Sequence, residues 1–222
     1  MKTKLFIILF LSLSLIFGCS KLKEKVEQKV NKEIEKTAED VKTKVDSTLK
    51  SAGEMDKETK VKEALDEQKI LEDPNGQWAI DADASSSYSS TRDGGWGVLQ
   101  MTGKPNVQTY GDNSYAWASK DPDKGIEWVE LTFAKPVHAK ELRIRQTYNP
   151  GAIIKVTLYD EKGNREIVWE NVDKTVYKEN SIQYFTAKFD KTDYKTKKVR
   201  ITMASNVVSG WNEIDAVQLV GE

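Results

Sequence analysis

The sequence predicts an all-β antiparallel jelly-roll sandwich, preceded by a long charged α-helical stalk and an N-terminal export signal. Three observations carry this. All six Trp, all eight Tyr and all five Pro lie at or after Pro74, so only the second part has the material for a globular core. Residues 20–73 hold 13 Lys against 15 Asp plus Glu and no aromatic residue, a composition that makes a solvated helix rather than a packed domain. Beyond Trp78 the apolar residues alternate with period two in short runs parted by turn residues, as antiparallel strands do. The boundaries follow: 1–18 signal, 19–73 anchor and stalk, 74–222 sandwich.

The N-terminus comes first. Lys2 and Lys4 precede an apolar run over 5–17, broken only by Ser12 and Ser14, and Gly18-Cys19 follow. A spanning helix needs about 20 apolar residues, so this run reads as a secretion signal. Ile16-Phe17-Gly18-Cys19 resembles a bacterial lipobox. That resemblance implies that Cys19 becomes the lipidated first residue and holds the chain at a membrane of the bacterial cell envelope. Ser20 in place of Asp after the Cys implies the outer membrane where the source has two.

In the stalk, Leu22, Val26, Val30, Ile34, Ala38, Val41, Val45, Leu49 and Ala52 recur about 3.75 residues apart, a helical spacing that drifts slowly around the axis. Ser51-Ala52-Gly53 interrupts the stripe, Met55, Val61, Ala64, Leu65, Ile70 and Leu71 resume it, and Asp73-Pro74-Asn75-Gly76 closes it with turn chemistry. One apolar residue per turn specifies a coiled coil only weakly. A spacer is the first reading and self-association the second. Lying flat on lipid is disfavoured because acids are as frequent as Lys.

In the sandwich, strands are expected at 128–133, 141–146, 154–159, 166–169, 182–189, 199–203 and 214–220. Val129, Leu131 and Phe133 share one face of the first, and Leu142 and Ile144 one face of the second. Arg143 and Arg145 alternate with those core positions and are expected to point outward together. Asn149-Pro150-Gly151, Lys162-Gly163-Asn164, the 190–198 loop and Ser209-Gly210 separate the strands.

Composition then narrows the chemistry. In 222 residues, 34 Lys plus Arg face 35 Asp plus Glu, a formal net charge of −1, which gives no electrostatic case for a nucleic-acid partner. One His and one Cys exclude an internal disulfide, a thiolate zinc site and any centre needing two imidazoles. His138 reads as a turn residue. Glu127 and Glu130 are three apart on a strand and fall on opposite faces, which argues against a glycosidic acid pair. What remains is chemistry of carboxylates, hydroxyls, amides and aromatic faces, and an enzyme is not expected.

Several segments resemble one family. Tyr110-Gly111-Asp112-Asn113-Ser114-Tyr115-Ala116-Trp117, Glu127-Trp128-Val129-Glu130-Leu131, Val199-Arg200-Ile201 and Glu213-Ile214-Asp215-Ala216-Val217-Gln218-Leu219 resemble the galactose-binding-like fold, also called the discoidin or coagulation-factor C-type fold, over about 78–221. Gln100-Met101-Thr102-Gly103-Lys104-Pro105-Asn106 and Gly210-Trp211-Asn212-Glu213-Ile214-Asp215 look like its branch on bacterial surface and secreted proteins. The resemblance implies a structural calcium ion, with Asp112 and Glu213 at the positions of its two acids. Tyr115 stands where relatives carry Thr, so the hydroxyl ligand is missing or comes from Ser114. The residues alone also allow Asp112 to cap a turn and Glu213 to pair with Lys or Arg.

A fold does not fix a function. A sugar presents an apolar face and a rim of hydroxyls, so aromatic rings beside amide and guanidinium groups are the natural candidates for binding one. These are Trp96 within Asp93-Gly94-Gly95-Trp96-Gly97, Tyr110, Arg145, Tyr148, Asn149 and Trp211. Trp96 reads as a recognition residue whose flanking glycines leave it little to pack against. Trp211 and Tyr148 fit packing and recognition equally. Trp128 and Trp169 lie within strands and read as core. The leading expectation is a non-catalytic, surface-anchored module for a glycan or cell-envelope polymer. The other is a structural or protein-interaction lipoprotein that assembles through its stalk or sandwich.

Overall fold

The computed structural model describes residues 20–222; the signal sequence expected at 1–18 and the lipidation expected at Cys19 lie outside the described residues. Helix α1 (Ser20–Leu71) runs through Ser51-Ala52-Gly53 without a break. One interior glycine costs a helix only about 1 kcal/mol, which the flanking Lys, Glu and Leu residues absorb. The interruption read from the sequence therefore belongs to the apolar stripe and not to the backbone. Val30, Ile34, Val41 and Val45 of that stripe are exposed. Among the described residues, no helix is long and apolar enough to cross a membrane.

The chain divides into two compact units, Met1–Ala64 and Leu65–Glu222. In the first, the described residues are those of α1 up to Ala64. The second begins nine residues before the boundary expected at Pro74, because the last turns of the helix are bonded into it. Glu67 pairs with Arg145 at 3.2 Å, Asp73 with Arg143 at 2.9 Å, and Gln218 Nε2 donates to the Ile70 carbonyl at 2.9 Å.

Eight strands follow: β1 (Gly76–Ala84), β2 (Ile126–Val137), β3 (Ala139–Tyr148), β4 (Ile153–Asp160), β5 (Arg165–Glu170), β6 (Gln183–Lys188), β7 (Thr196–Ala204) and β8 (Glu213–Gly221). Every pairing is antiparallel, in the order β5-β4-β7-β2-β1-β8-β3-β6. β1 has no counterpart among the runs expected from sequence. A register shift between Ala79 and Asp81 leaves Ile80 61% exposed, so its alternation is broken, and its inward residues are small alanines rather than β-branched ones.

β1 pairs with β2 over Ala79 to Ala84 and with β8 over Gly76 to Trp78. It is thus common to both layers of the sandwich. At the far ends of the order, Trp169 of β5 meets Phe185 of β6 edge-on, with ring centres 4.8 Å apart. The molecule is an antiparallel sandwich that nearly closes into a barrel. Trp117, Leu131, Phe133, Leu142, Ile144, Leu158, Ile201 and Leu219 fill it.

Two outward positions differ from expectation. Trp128, read as core, lies on the outer face of β2 with the Arg200 guanidinium 4.1 Å above its ring. Arg145, read as a solvent-facing ligand group, is 3% exposed: it pairs with Asp215 and donates to the Val107 carbonyl at 2.7 Å. Period two says which face a residue takes. It does not say that the end of α1 and the segment around Val107 cover that face.

Candidate ligand-binding cleft

The long connection between β1 and β2, residues 85–125, carries most of the loop chemistry. It is pinned to the start of β8 by Trp117, whose ring is fully buried and whose backbone exchanges hydrogen bonds with Ile214 at 2.8 and 3.2 Å. Within it Trp96 takes a left-handed conformation, φ 59°. That conformation is held because Trp96 N–H donates to the Ser114 carbonyl at 2.9 Å and the Ser87 hydroxyl donates to the Trp96 carbonyl at 3.0 Å. Gly97 lies so close to the Arg92, Gly94 and Thr91 carbonyls that a Cβ would come within 2.5, 2.7 and 2.8 Å of them. No larger residue fits this turn without moving backbone.

The loop delivers Trp96 to a cleft of about 90 Å³ lined by Tyr88, Trp96, Asp112, Ala118, Trp211 and Glu213. Tyr88 stands edge-on to both indoles, at 5.3 Å from Trp96 and 5.9 Å from Trp211. Trp96 Nε1 donates to Asp112 Oδ1 at 2.8 Å, and Trp211 Nε1 donates to the Ser119 carbonyl at 3.1 Å. Trp96 and Trp211 are thus brought together, and Trp96 has more to pack against than its glycines suggested. Tyr88 was not singled out from sequence. The available signal was a lone aromatic inside the polar run Ser85-Ser86-Ser87-Tyr88-Ser89-Ser90.

Asp112 and Glu213 also meet here. Glu213 is 1% exposed and accepts from the Asn113 N–H at 3.1 Å. Burial pushes its carboxyl up to about 8; Asp112 beside it adds to the rise, while the Asn113 N–H and the Trp96 indole oppose it. Among the described residues no ion pair joins Glu213 to a Lys or Arg, so the alternative pairing with a basic residue is not found. Calcium takes six to eight hard oxygens. The cleft offers two carboxylates, each with an oxygen already accepting an N–H, between aromatic walls. Tyr115 is 61% exposed, and the described residues contain no group of three or more His, Cys, Asp or Glu able to hold a metal ion. Asp112 and Glu213 would bring carboxylate oxygens to such an ion, and the remaining ligands would have to be backbone carbonyls and water.

The other candidates form a separate cluster. Tyr110 and Tyr148 meet edge-on at 5.6 Å, and the Tyr110 hydroxyl lies 3.4 Å from Asn149 Oδ1. Asn149 Nδ2 donates to the Trp211 carbonyl at 3.0 Å, and Asn212 Nδ2 donates to the Asn149 carbonyl at 2.7 Å. None of the three lines the cleft. Asn149 brackets the Trp211 loop and so positions one wall. Arg145, buried with Asp215, contributes nothing to it.

Elsewhere, a wider hollow of about 590 Å³ is lined by Pro136, Tyr159, Asp160, Glu161, Gly163, Lys197 and Lys198; its mixed charges select neither sign. His138 sits at a turn with Nδ1 2.9 Å from the Thr192 carbonyl. Glu127 accepts from the Ser85 and Ser86 hydroxyls, while Glu130 faces Tyr159, Lys198 and Arg200.

The sequence profile of the family described as Pappalysin-1, SD scarf domain, C-terminal matches residues 68–222. F-box/LRR-repeat protein 4 of Bos taurus is 23% identical over 172 residues, taking in 63% of this chain. The chain spans 27% of the length of that curated relative. Among solved structures, chitosan-binding module 1 of a chitosanase/glucanase from Paenibacillus sp. IK-5 is similar at 14% identity and TM-score 0.46, over 64% of this chain and 94% of that one. CpGH89CBM32-5 from Clostridium perfringens, solved with GalNAc-β-1,3-galactose, gives 15% and 0.46 over 66% and 96%. The family 32 carbohydrate-binding module of EndoD from Streptococcus pneumoniae gives 13% and 0.46 over 64% and 96%.

Proposed function

The chain belongs, through residues 68–222, to the family described as Pappalysin-1, SD scarf domain, C-terminal, and from that premise we propose that it is a non-catalytic module that binds a glycan or cell-envelope polymer. The observation that carries this reading is the cleft itself: Tyr88, Trp96 and Trp211 converge on one opening with two carboxylates beside them. Rings supply the apolar contact that a sugar face needs, and acids accept from its hydroxyls.

Binding without hydrolysis follows from the same residues. Glycosidic catalysis needs two carboxyls about 5 Å or more apart with the anomeric carbon between them. Asp112 and Glu213 lie beside each other on the lining of one cleft and do not flank an opening from two sides. In this reading Cys19 carries lipid, anchors the chain in the envelope, at the outer membrane in a two-membrane source, and α1 serves as a spacer.

The test is a screen of glycans and cell-wall polymers against the intact chain, with Tyr88→Ala and Trp211→Ala beside it. Loss of one stacking ring is expected to weaken binding by about tenfold, from about 1–1.5 kcal/mol per aromatic contact. Thermal unfolding should change little, because Tyr88 is 54% exposed and Trp211 half-buried. Binding to no polymer, or binding indifferent to both variants, overturns the reading. The second reading, a structural or protein-interaction lipoprotein that assembles through α1, is favoured by the exposed Val30, Ile34, Val41 and Val45. It requires that the intact chain sediment as an oligomer and that Ile34→Asp return it to a monomer.

A further inference from the structure

We infer that Asp123, which does not line the cleft, is a positioning residue for it: Asp123 holds the Ser209-Gly210-Trp211 turn so that the Trp211 ring stands as a finished wall before any ligand arrives. What the wall binds rests on the glycan reading above. How the wall is held does not.

The backbone points to the place. Among the described residues four non-glycine positions are left-handed: Trp96, Asp123, Asn149 and Asn180. Such conformations are costly and persist where the surroundings over-determine them. Three of these four serve the walls of one cleft. Trp96 is itself a wall, while Asp123 and Asn149 grip the turn that carries the other indole.

Asp123 Oδ1 accepts from the Gly210 N–H at 3.0 Å, and Asn149 Nδ2 donates to the Trp211 carbonyl at 3.0 Å. The turn is thus held before and after its ring. Gly210 is left-handed too, at φ 92°, and a Cβ there would come within 2.9 Å of Asn149 Nδ2. The ring is fixed by a third bond, from Trp211 Nε1 to the Ser119 carbonyl at 3.1 Å. Ser119 and Asp123 belong to one short stretch, which the Ser119 hydroxyl ties by donating to the Asp121 carbonyl at 2.8 Å. One stretch of chain therefore sets both the backbone and the ring orientation of Trp211.

The connection between β7 and β8 is also stitched at its other end. The Gly125 N–H donates to the Ser205 hydroxyl at 3.1 Å, and the Ser205 N–H donates to the Gly125 carbonyl at 2.6 Å. Ordering a loop is one of the costs that weaken binding, and a wall tied at so many points avoids it. Asp123 is the member of this set that can be removed cleanly. It is exposed, and its side chain makes no other hydrogen bond or ion pair among the described residues. Asn149, by contrast, also meets Tyr110 and Asn212.

The experiment follows exchange of the indole N–H protons with solvent, by proton–nitrogen NMR of the intact chain, in the parent, Asp123→Gly and Asp123→Asn. The Trp211 signal is assigned by its absence from Trp211→Phe. Glycine adopts the left-handed conformation freely but lacks the acceptor, whereas asparagine keeps both. In Asp123→Gly the Trp211 indole is expected to exchange at least about tenfold faster. The fully buried Trp117 indole should exchange as in the parent, and the melting temperature should not move. Asp123→Asn should match the parent throughout. Muramidase-released peptidoglycan fragments serve as the binding probe, with affinity expected to fall about tenfold in Asp123→Gly alone.

An unchanged Trp211 exchange rate in Asp123→Gly overturns the inference. Equal acceleration at Trp117, or a lower melting temperature, overturns it as well, since Asp123 would then support the whole domain and not this wall. Faster exchange at Trp211 with fragments bound as tightly as by the parent means that the wall orders on contact, and the positioning role falls. If the parent binds no fragment, that result counts against the glycan reading, and the exchange rates still decide how the wall is held.

Discussion

Arg145 shows what alternation in a strand can and cannot say about a residue. It stands on the face of β3 opposite Leu142 and Ile144, as its position requires, and is nevertheless buried by Asp215, the Val107 carbonyl and Glu67. Truncating it leaves Asp215, 1% exposed, as an uncompensated buried charge. Arg145→Ala is therefore expected to cost about 3–5 kcal/mol of stability, measured by urea unfolding, with cleft binding at low denaturant unchanged. A variant that unfolds like the parent would mean water reaches Asp215. The same limit runs through the other candidates. Trp96 and Trp211 were marked out by the glycines beside them, and both line the cleft, but Trp96 packs edge-on against Tyr88, which its glycines did not foretell. The meeting of Asp112 and Glu213 was legible only by family resemblance, since 101 positions separate them in sequence. Arg145 was misread because its cover comes from residues far away in the chain, and Tyr88 was overlooked because nothing periodic marks a single ring among serines.

At the scale of elements, the helix–sandwich boundary and one sheet face each make a prediction. Fragment 65–222 should melt cooperatively. Fragment 74–222 should be less stable by about 1–3 kcal/mol, because it loses the partners of Arg145, Arg143 and Gln218 and leaves those groups partly buried. Identical melting of the two would show that the end of α1 contributes nothing. On the outer face of β2, β4 and β7, burial would raise the Glu130 carboxyl. Hydrogen bonds from Lys198 and Tyr159 and the Arg200 charge overcome this and hold it below the usual carboxylate range. A lowered folded-state value means stability that is present above the unfolded value, about 4.3, and lost as pH falls through the folded one. The stability difference between parent and Glu130→Gln should accordingly be full at pH 6 and vanish toward pH 2. A difference constant with pH would mean the ionised form plays no part. Seven of the eight strands were legible as short apolar runs between turn residues; most alternate with period two, while β5 sets Ile167, Val168 and Trp169 in a row and β8 is buried along its whole length. β1 was not, since the extra residue Ile80 defeats a period-two count and alanine signals no strand.

At the scale of the whole molecule, the partition into a charged helix and an aromatic-rich sandwich is written in composition, because rings and prolines cannot be spread through a solvated helix. If the export reading is right, Cys19→Ser leaves the protein unprocessed or releases it from the membrane fraction. Unchanged mass and unchanged fractionation would count against it. One feature of the topology bears on how such a chain is made. β1, the first strand, takes Ala79 to Ala84 to one neighbour and Gly76 to Trp78 to the last strand, with Gly76 opposite Val220 and the Gly221 N–H donating to the Asn75 carbonyl at 3.1 Å. Contacts this distant in sequence are slow to form, because the loop they close is nearly the whole domain. No nascent chain short of Gly221 holds the strand that completes the sheet. Until β8 has been made, the sheet lacks the strand that joins its two layers, and the polypeptide before it stays open.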